Sequence, residues 1–254
     1  MKKAYLVLSL LLTSCVEEHS YLKEFEKDIR LFESYNEIYL EEYYEMYMHT
    51  ENLIYSLNLV NYPSFFEEKT NRYIYEDIYL INKQHMIPNN LDLNLVEVKD
   101  IPYIKRTNEV MLLEKEALKS YQEMVKDAKG LGIELVLYSG YRSIEKQASL
   151  WDTPYDFNNM YKAVPGYSEH HTGLALDIST YDIGITTSSS KAFEYLKDNA
   201  YKFGFILRYP EGKEHITGYN YEPWHYRYVG KIAKHIYENN LTLEEYIYEN
   251  ILIY

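Results

Sequence analysis

The 254-residue chain has a single cysteine, Cys15, which excludes an intramolecular disulfide framework and a four-thiolate zinc site. Cations are scarce as well: 26 Lys and Arg stand against 39 Asp and Glu, a formal charge of −13. A phosphate backbone is held by clustered Lys and Arg, so nucleic acid is not expected among its partners. No multi-span membrane protein is expected either, because the one marked apolar run is far shorter than the roughly 20 residues of a spanning helix. With 46% of residues apolar by type the chain can bury a core, so it is not a disordered polymer. The abundant residue is tyrosine, 31 against 8 Phe and 2 Trp. It supplies apolar area with a polar tip and names no activity.

Lys2 and Lys3 make a short positive head, Ala4 to Leu12 is apolar except for Ser9, and Leu12-Thr13-Ser14-Cys15 closes the run. That layout is a secretory signal, and its last four residues resemble a bacterial lipobox. Residues 1–14 are therefore expected to be a lipoprotein signal peptide, with Cys15 the lipid-bearing first residue of the mature chain. A plain signal peptide with a chance cysteine is the alternative. The lipid reading puts the protein outside the cytoplasmic membrane, anchored at the bacterial cell envelope. In residues 15–74, Phe25, Ile29, Phe32, Tyr35, Tyr39, Tyr43 and Met46 recur at spacings of three and four, the stripe of an amphipathic helix. This region reads as a helical spacer, with a wall-binding or partner-binding module as the sharper alternative.

Residues 75–254 read as one domain. Tyr79 to Lys83 suggests a short strand. After Pro102, the residues Val110, Leu113, Ala117, Tyr121, Met124, Val125 and Ala128 share a helical face, and Gly130 is expected to end that helix as a left-handed cap. Ile133 to Tyr138 alternates as a strand. Ser139-Gly140-Tyr141-Arg142-Ser143 then turns into a helix running to about Trp151, with Ser143 as its N-cap. Leu174, Leu176 and Ile178 mark a strand whose other face carries Gly173, Ala175 and Asp177. Phe193 to Phe203 is a helix closed by Gly204; Phe205 to Tyr209 and His225 to Val229 are strands; the tail is helical. Helices mixed with short strands, without regular strand-helix alternation, indicate an α+β fold with a mainly antiparallel sheet flanked by helices.

Most of the eight histidines have no ligand-type partner at metal-binding spacing. His170, Asp177 and His225 differ: a histidine precedes a strand on which Gly173 and Ala175 share a face with Asp177, which would leave room for a metal beside the sheet. Glu222-Pro223-Trp224-His225 then brings a carboxylate three residues before another histidine. Two imidazoles and one carboxylate suit zinc with a fourth position open, the arrangement of catalytic zinc sites. Water in such sites has a pKa near 7, and Glu222, a carboxylate outside the ligand set, is the candidate general base. Spacing alone does not choose between His170 and His171.

Taken together, the corner Ser139 to Ser143 with Gln147, the segment Pro165-Gly166-Tyr167-Ser168-Glu169-His170 running to Asp177, the stretch Gly204 to Pro210, and Glu222-Pro223-Trp224-His225-Tyr226-Arg227-Tyr228-Val229-Gly230 resemble the VanY-like D-alanyl-D-alanine carboxypeptidases. The resemblance covers roughly residues 75 to 235. It implies an α+β fold shared with zinc D,D-peptidases and the Hedgehog signalling domain, and a hydrolase acting on peptidoglycan stem peptides ending in D-alanine. It further implies His170, Asp177 and His225 as Zn2+ ligands, Glu222 as catalytic base, and Arg142 beside the scissile carbonyl. Gln147 and Ser168 are expected to bind the substrate's terminal carboxylate or backbone. Tyr141 and Trp224 are read as core aromatics, with walls of the pocket as the alternative, and Arg208 and Arg227 as solvated strand residues, with pairing to substrate carboxylates as the alternative. An L,D-carboxypeptidase acting on tetrapeptide stems and a non-catalytic zinc module that binds wall peptides are the alternative functions.

Overall fold

The computed structural model describes residues 74–75, 78–83, 85–88, 91–105, 110–151, 159–180, 184–185 and 189–251. The signal segment, Cys15 and the helical stripe expected before residue 74 lie outside them. Two short pairs come first, β1 (Ile74–Tyr75) with β2 (Ile78–Tyr79), and β3 (Leu95–Glu97) with β4 (Leu112–Glu114). The main sheet has β5 (Val136–Ser139), β6 (Ala175–Thr180), β7 (Gly184–Ile185), β8 (Phe205–Leu207) and β9 (His225–Tyr228). Its order is β5-β6-β9-β8 with β7 added to β6, and its neighbours pair antiparallel. The helices are α1 (Lys115–Gly130), α2 (Ile144–Ala148), α3 (Lys191–Asn199), α4 (Glu214–Thr217), α5 (Ala233–Glu238) and α6 (Leu243–Ile251). The expected α+β class is observed.

Register decides which side chains share a face, because successive residues of a strand point to opposite sides. Leu137 lies opposite Ile178, Leu176 opposite Tyr226, and Phe205 opposite Tyr228. This face carries the larger apolar core, closed by Leu118, Tyr121, Met124 and Val125 of α1 and by Ala192, Tyr195 and Leu196 of α3. Each Leu, Ile, Val, Met or Phe side chain so taken from water contributes about 1.5–3 kcal/mol. On the other face Asp177 lies opposite His225, Ala175 opposite Arg227, and Arg227 opposite Ile206. Chemistry therefore occupies one side of the sheet. Ile206 joins a second apolar cluster there, with Val229, Ile232, Ala233, Ile236, Leu243 and Ile247.

Several element boundaries differ from the sequence expectation. Pairing of β2 stops at Tyr79; Leu80 and Ile81 are buried in a turn region that continues through Asn82 and His85. The helix after Pro102 starts at Lys115, because Glu114 accepts from the backbone N–H groups of Glu116 (2.8 Å) and Ala117 (3.2 Å). Leu113, although in helical phase, is instead a strand residue opposite Val96, and Val110 is exposed. Gly130 is the last helical residue, and the left-handed turn is made by Gly132 (φ 75°). The next strand begins at Val136 rather than Ile133, and α2 ends at Ala148 rather than near Trp151. Ser143 does cap α2, accepting from the Lys146 N–H at 3.1 Å.

Candidate metal centre and active site

The strand-to-helix corner before α2 is clamped from two sides. A Cβ on Gly140 would lie 2.6 Å from the Leu112 carbonyl oxygen, so no larger residue fits where this corner passes β4. The Gly140 carbonyl accepts from His170 Nδ1 at 2.7 Å, and the Arg142 N–H donates to the His170 carbonyl at 3.1 Å. His171 closes the clamp: its Nδ1 donates to the Arg142 carbonyl at 2.6 Å and its Nε2 accepts from the Gly166 N–H at 3.0 Å. Both ring nitrogens of His171 are thereby engaged away from the candidate metal cluster.

His170 sits on a 3-10 turn, Glu169–Thr172, ended by Gly173 in the left-handed region (φ 71°). A Cβ on Gly173 would lie 2.6 Å from Leu95 Cδ2 and 2.9 Å from the Glu114 nitrogen. The residue is small because β3 and β4 press against it. This corrects the expectation that Gly173 leaves space for a metal.

With Nδ1 committed to Gly140, His170 turns Nε2 toward Asp177, 3.4 Å from Oδ2. His225, opposite Asp177 in the sheet, places Nδ1 3.4 Å from Oδ1. Donors about 2.0–2.1 Å from a tetrahedral zinc lie about 3.3 Å from one another. The two separations run to different oxygens of Asp177, and one ligand atom from each of the three residues lies within 4.8 Å of the others, close enough to share an ion. Asp177 Oδ1 is buried and has no hydrogen-bond partner among the described residues, as a ligand atom awaiting a cation would be. His170, Asp177 and His225 form a buried group able to hold a metal, and the residue types fit zinc.

Glu222 Oε2 stands 3.5 Å from His225 Nδ1, on a turn closed by the His225 N–H donating to the Glu222 carbonyl. Arg142 Nη2 is 4.0 Å from Asp177 Oδ2. Burial pushes the Glu222 carboxyl up to about 7, with Asp177 adding to the rise and His225 and Arg142 opposing it. Burial would raise Asp177 too, but the His170 and His225 imidazoles outweigh it and hold that carboxyl well below the usual range. For His225, the carboxylates of Asp177, Glu169 and Glu222 overcome burial and raise it to about 9. An imidazole in that state must give up its proton to become a ligand.

The other expected site residues take definite places. Arg142 Nη1 donates to Gln147 Oε1 at 2.7 Å and Nη2 to Ser139 Oγ at 3.1 Å; Gln147 Nε2 donates to the Ala163 carbonyl at 2.6 Å. Gln147 is buried and orients the arginine. A register shift between Leu137 and Ser139 sets Ser139 opposite Asp177 and brings its hydroxyl to that guanidinium. Ser168 is buried at the start of the 3-10 turn without capping it. Tyr141 and Trp224 are half-buried and belong to neither apolar core, contrary to expectation.

Arg208 and Arg227 correct the sequence reading most clearly. Both are 0% exposed rather than solvated. Arg208 Nε donates to Glu169 Oε1 at 2.8 Å, and its Nη1 and Nη2 grip the two oxygens of Glu244 on α6 at 2.8 and 2.6 Å. Arg227 Nη1 reaches the same Glu169 oxygen at 3.1 Å. The signal was present in the sequence: Arg227 is two residues from His225 on one strand, so both must occupy the covered face.

Residues 110–231 match the family model described as VanY, D-alanyl-D-alanine carboxypeptidase. The solved structure of the LdcB LD-carboxypeptidase is 41% identical, with a TM-score of 0.60 over 67% of this chain and 85% of that one. A VanY D,D-pentapeptidase from a VanB-type resistance cassette, solved in complex with Zn(II), is 35% identical, with a TM-score of 0.55 over 66% of this chain and 97% of that one. The chain belongs to the VanY D-alanyl-D-alanine carboxypeptidase family. The putative carboxypeptidase YodJ of Bacillus subtilis is 42% identical over 178 residues, 66% of this chain. The match spans 65% of that relative's length. The matched region holds every residue of the candidate site, from Arg142 to His225.

Proposed function

We propose that the protein is a zinc-dependent D-alanyl-D-alanine carboxypeptidase that trims the terminal D-alanine from peptidoglycan stem peptides. The observation that carries this reading is the buried His170, Asp177 and His225 donor set with Glu222 3.5 Å from His225 Nδ1. Zinc held by these three donors would supply Lewis acidity toward the scissile carbonyl and a water acidified to near neutrality. Glu222, at its carboxylate oxygen, takes the proton of the attacking water and returns it to the leaving amine. Arg142, locked by Gln147 and Ser139, sets a fixed cation where negative charge grows on the carbonyl oxygen. No serine nucleophile is needed, so β-lactams are not expected to acylate the protein.

L,D-carboxypeptidase activity on tetrapeptide stems is the second reading, favoured by the LdcB match, which exceeds that to the VanY pentapeptidase in identity and TM-score. Incubating the zinc-loaded protein with pentapeptide and tetrapeptide stems and weighing the products decides between them. Loss of one D-alanine from the pentapeptide is expected. Cleavage of the tetrapeptide alone replaces the first reading with the second, and zinc binding without hydrolysis of either stem leaves a wall-peptide binding module. The lipid anchor at Cys15 is proposed in the same way, and a Cys15→Ala protein that still fractionates with membranes would overturn it.

A further inference from the structure

Glu169 and His170 are adjacent on one 3-10 turn, yet His170 enters the metal cluster while Glu169 joins the buried arginines. Glu169 Oε1 accepts from both Arg208 and Arg227, and Arg208 is held in turn by Glu244. Asn82 Nδ2 donates to Glu244 at 3.1 Å, and Arg227 Nη2 donates to the Tyr79 carbonyl at 3.1 Å. Two buried cations and two buried anions cancel, and the arrangement fixes the Glu169 carboxylate in place. Its second oxygen, Oε2, is left over. It lies 3.5 Å from His225 Nε2, and neither atom has a hydrogen-bond partner among the described residues.

A neutral imidazole has one N–H and one lone pair, and a carboxylate can only accept. The separation is at the long limit for a hydrogen bond, so the influence is the carboxylate's negative charge, which favours N–H at Nε2. Nδ1 faces Asp177 at 3.4 Å and Glu222 at 3.5 Å, so the tautomer is decided when a cation between Nδ1 and Asp177 displaces the proton there while Glu169 holds the one on Nε2. The lone pair is then on Nδ1, the atom that faces Asp177.

We infer that Glu169 is a positioning residue: held by Arg208 and Arg227, it keeps His225 with its proton on Nε2 and its lone pair on Nδ1, directed at the metal. The inference rests on the metal-site reading above and adds to it a residue outside the ligand set. Glutamine cannot replace Glu169. Its amide nitrogen would face either the His225 N–H or the two guanidinium groups, donor against donor in both cases.

The test reads metal affinity and tautomer rather than turnover. In competition with a chromogenic chelator, the full chain with Glu169→Gln is expected to bind zinc about 10–100-fold more weakly than wild type, the usual cost of losing a partner behind a metal-ligating histidine. The double variant Glu169→Gln/Arg227→Gln restores the charge balance that the single variant upsets, and its affinity should stay low. Glu244→Gln removes a charge from the same network without touching His225, and its affinity should match wild type. Unchanged affinity in either Glu169 variant overturns the inference, as does an equal loss in Glu244→Gln. Should both Glu169 variants fail to fold, nitrogen-15 NMR of histidine-labelled, zinc-loaded wild type and Glu169→Asp still decides. The His225 Nε2–H signal is expected to move when Glu169→Asp draws the carboxylate back; an unmoved signal, or a proton on Nδ1 in wild type, refutes the assignment. If wild type takes up no zinc at all, the metal reading itself has failed, an outcome distinct from the others.

Discussion

Two buried polar clusters meet at the sheet face that carries Asp177, His225 and Arg227, and they are built on opposite principles. In the Glu169, Arg208, Arg227 and Glu244 cluster opposite charges balance and each guanidinium is gripped by carboxylate or carbonyl oxygens. In the His170, Asp177, His225 and Glu222 cluster, Asp177 Oδ1 is buried without a partner and Glu222 is held as an acid far weaker than an exposed carboxylate. The first is closed except at Glu169 Oε2, which faces His225, and it serves the fold. The second is left electrostatically incomplete, which is how a fold prepares a place for an ion and a proton carrier. Glu169 and His170, joined by one peptide bond, divide the two.

Glu222→Gln breaks the contrast on its open side. Hydrolysis should fall by about 10²–10⁴-fold, the range for removing a general base. Stability should move the other way in chelator-treated protein. The Glu222 carboxyl is raised from 4.5 to about 7 on folding, so its contribution is present below pH 4.5 and is lost as pH rises through 7. At pH 8 the ionised wild-type side chain opposes folding and glutamine does not. A higher urea midpoint for Glu222→Gln at pH 8 is expected; a clearly lower one would show that this cluster, too, is built for stability.

On the closed side the expectation reverses. Arg208→Met leaves Glu169 and Glu244 buried without their shared cation, and breaking a buried pair in this way costs about 3–5 kcal/mol. Equilibrium urea unfolding at constant pH measures it. A loss below about 1 kcal/mol, the value of an exposed ion pair, would mean that the network is wet and the contrast false.

The open cluster was legible in the sequence in part because its chemistry is written in residue types with few other uses: histidines, a carboxylate on a strand with small neighbours, and a carboxylate three residues before the second histidine. The choice of His170 over His171 came from the family resemblance. The closed cluster was not, beyond the face that Arg227 shares with His225, because arginine and glutamate are mostly exposed and their pairing depends on register. Arg208 and Glu169 meet across 39 positions and Arg208 and Glu244 across 36, distances that no local pattern spans. The same limit explains the helix boundary at Lys115. Leu113 satisfies the helical period, and only the partnership of Leu112–Glu114 with Leu95–Glu97 makes it a strand residue. Gly140 and Gly173 were visible as glycines, but the backbone and side chains they make way for come from β3 and β4.

The smallest effect sharpens the comparison at the rim of the closed cluster. His85 is buried, with Nδ1 donating to Asn82 Oδ1 at 2.7 Å while Asn82 donates to Glu244. Burial lowers the His85 pKa from 6.5 to about 3, so the folded protein keeps this imidazole neutral while the unfolded chain protonates it. The unfolded state then binds more protons between those two values, and stability falls as pH drops from 6.5 toward 3. The slope is about 1.4 kcal/mol per pH unit, or about 2 kcal/mol from pH 6.5 to pH 5. Urea midpoints for wild type and His85→Gln at those two pH values test this, and the variant should lose about 2 kcal/mol less than wild type. Parallel acid losses in the two proteins would show that water reaches His85, and would put the boundary of the closed cluster at Asn82 instead.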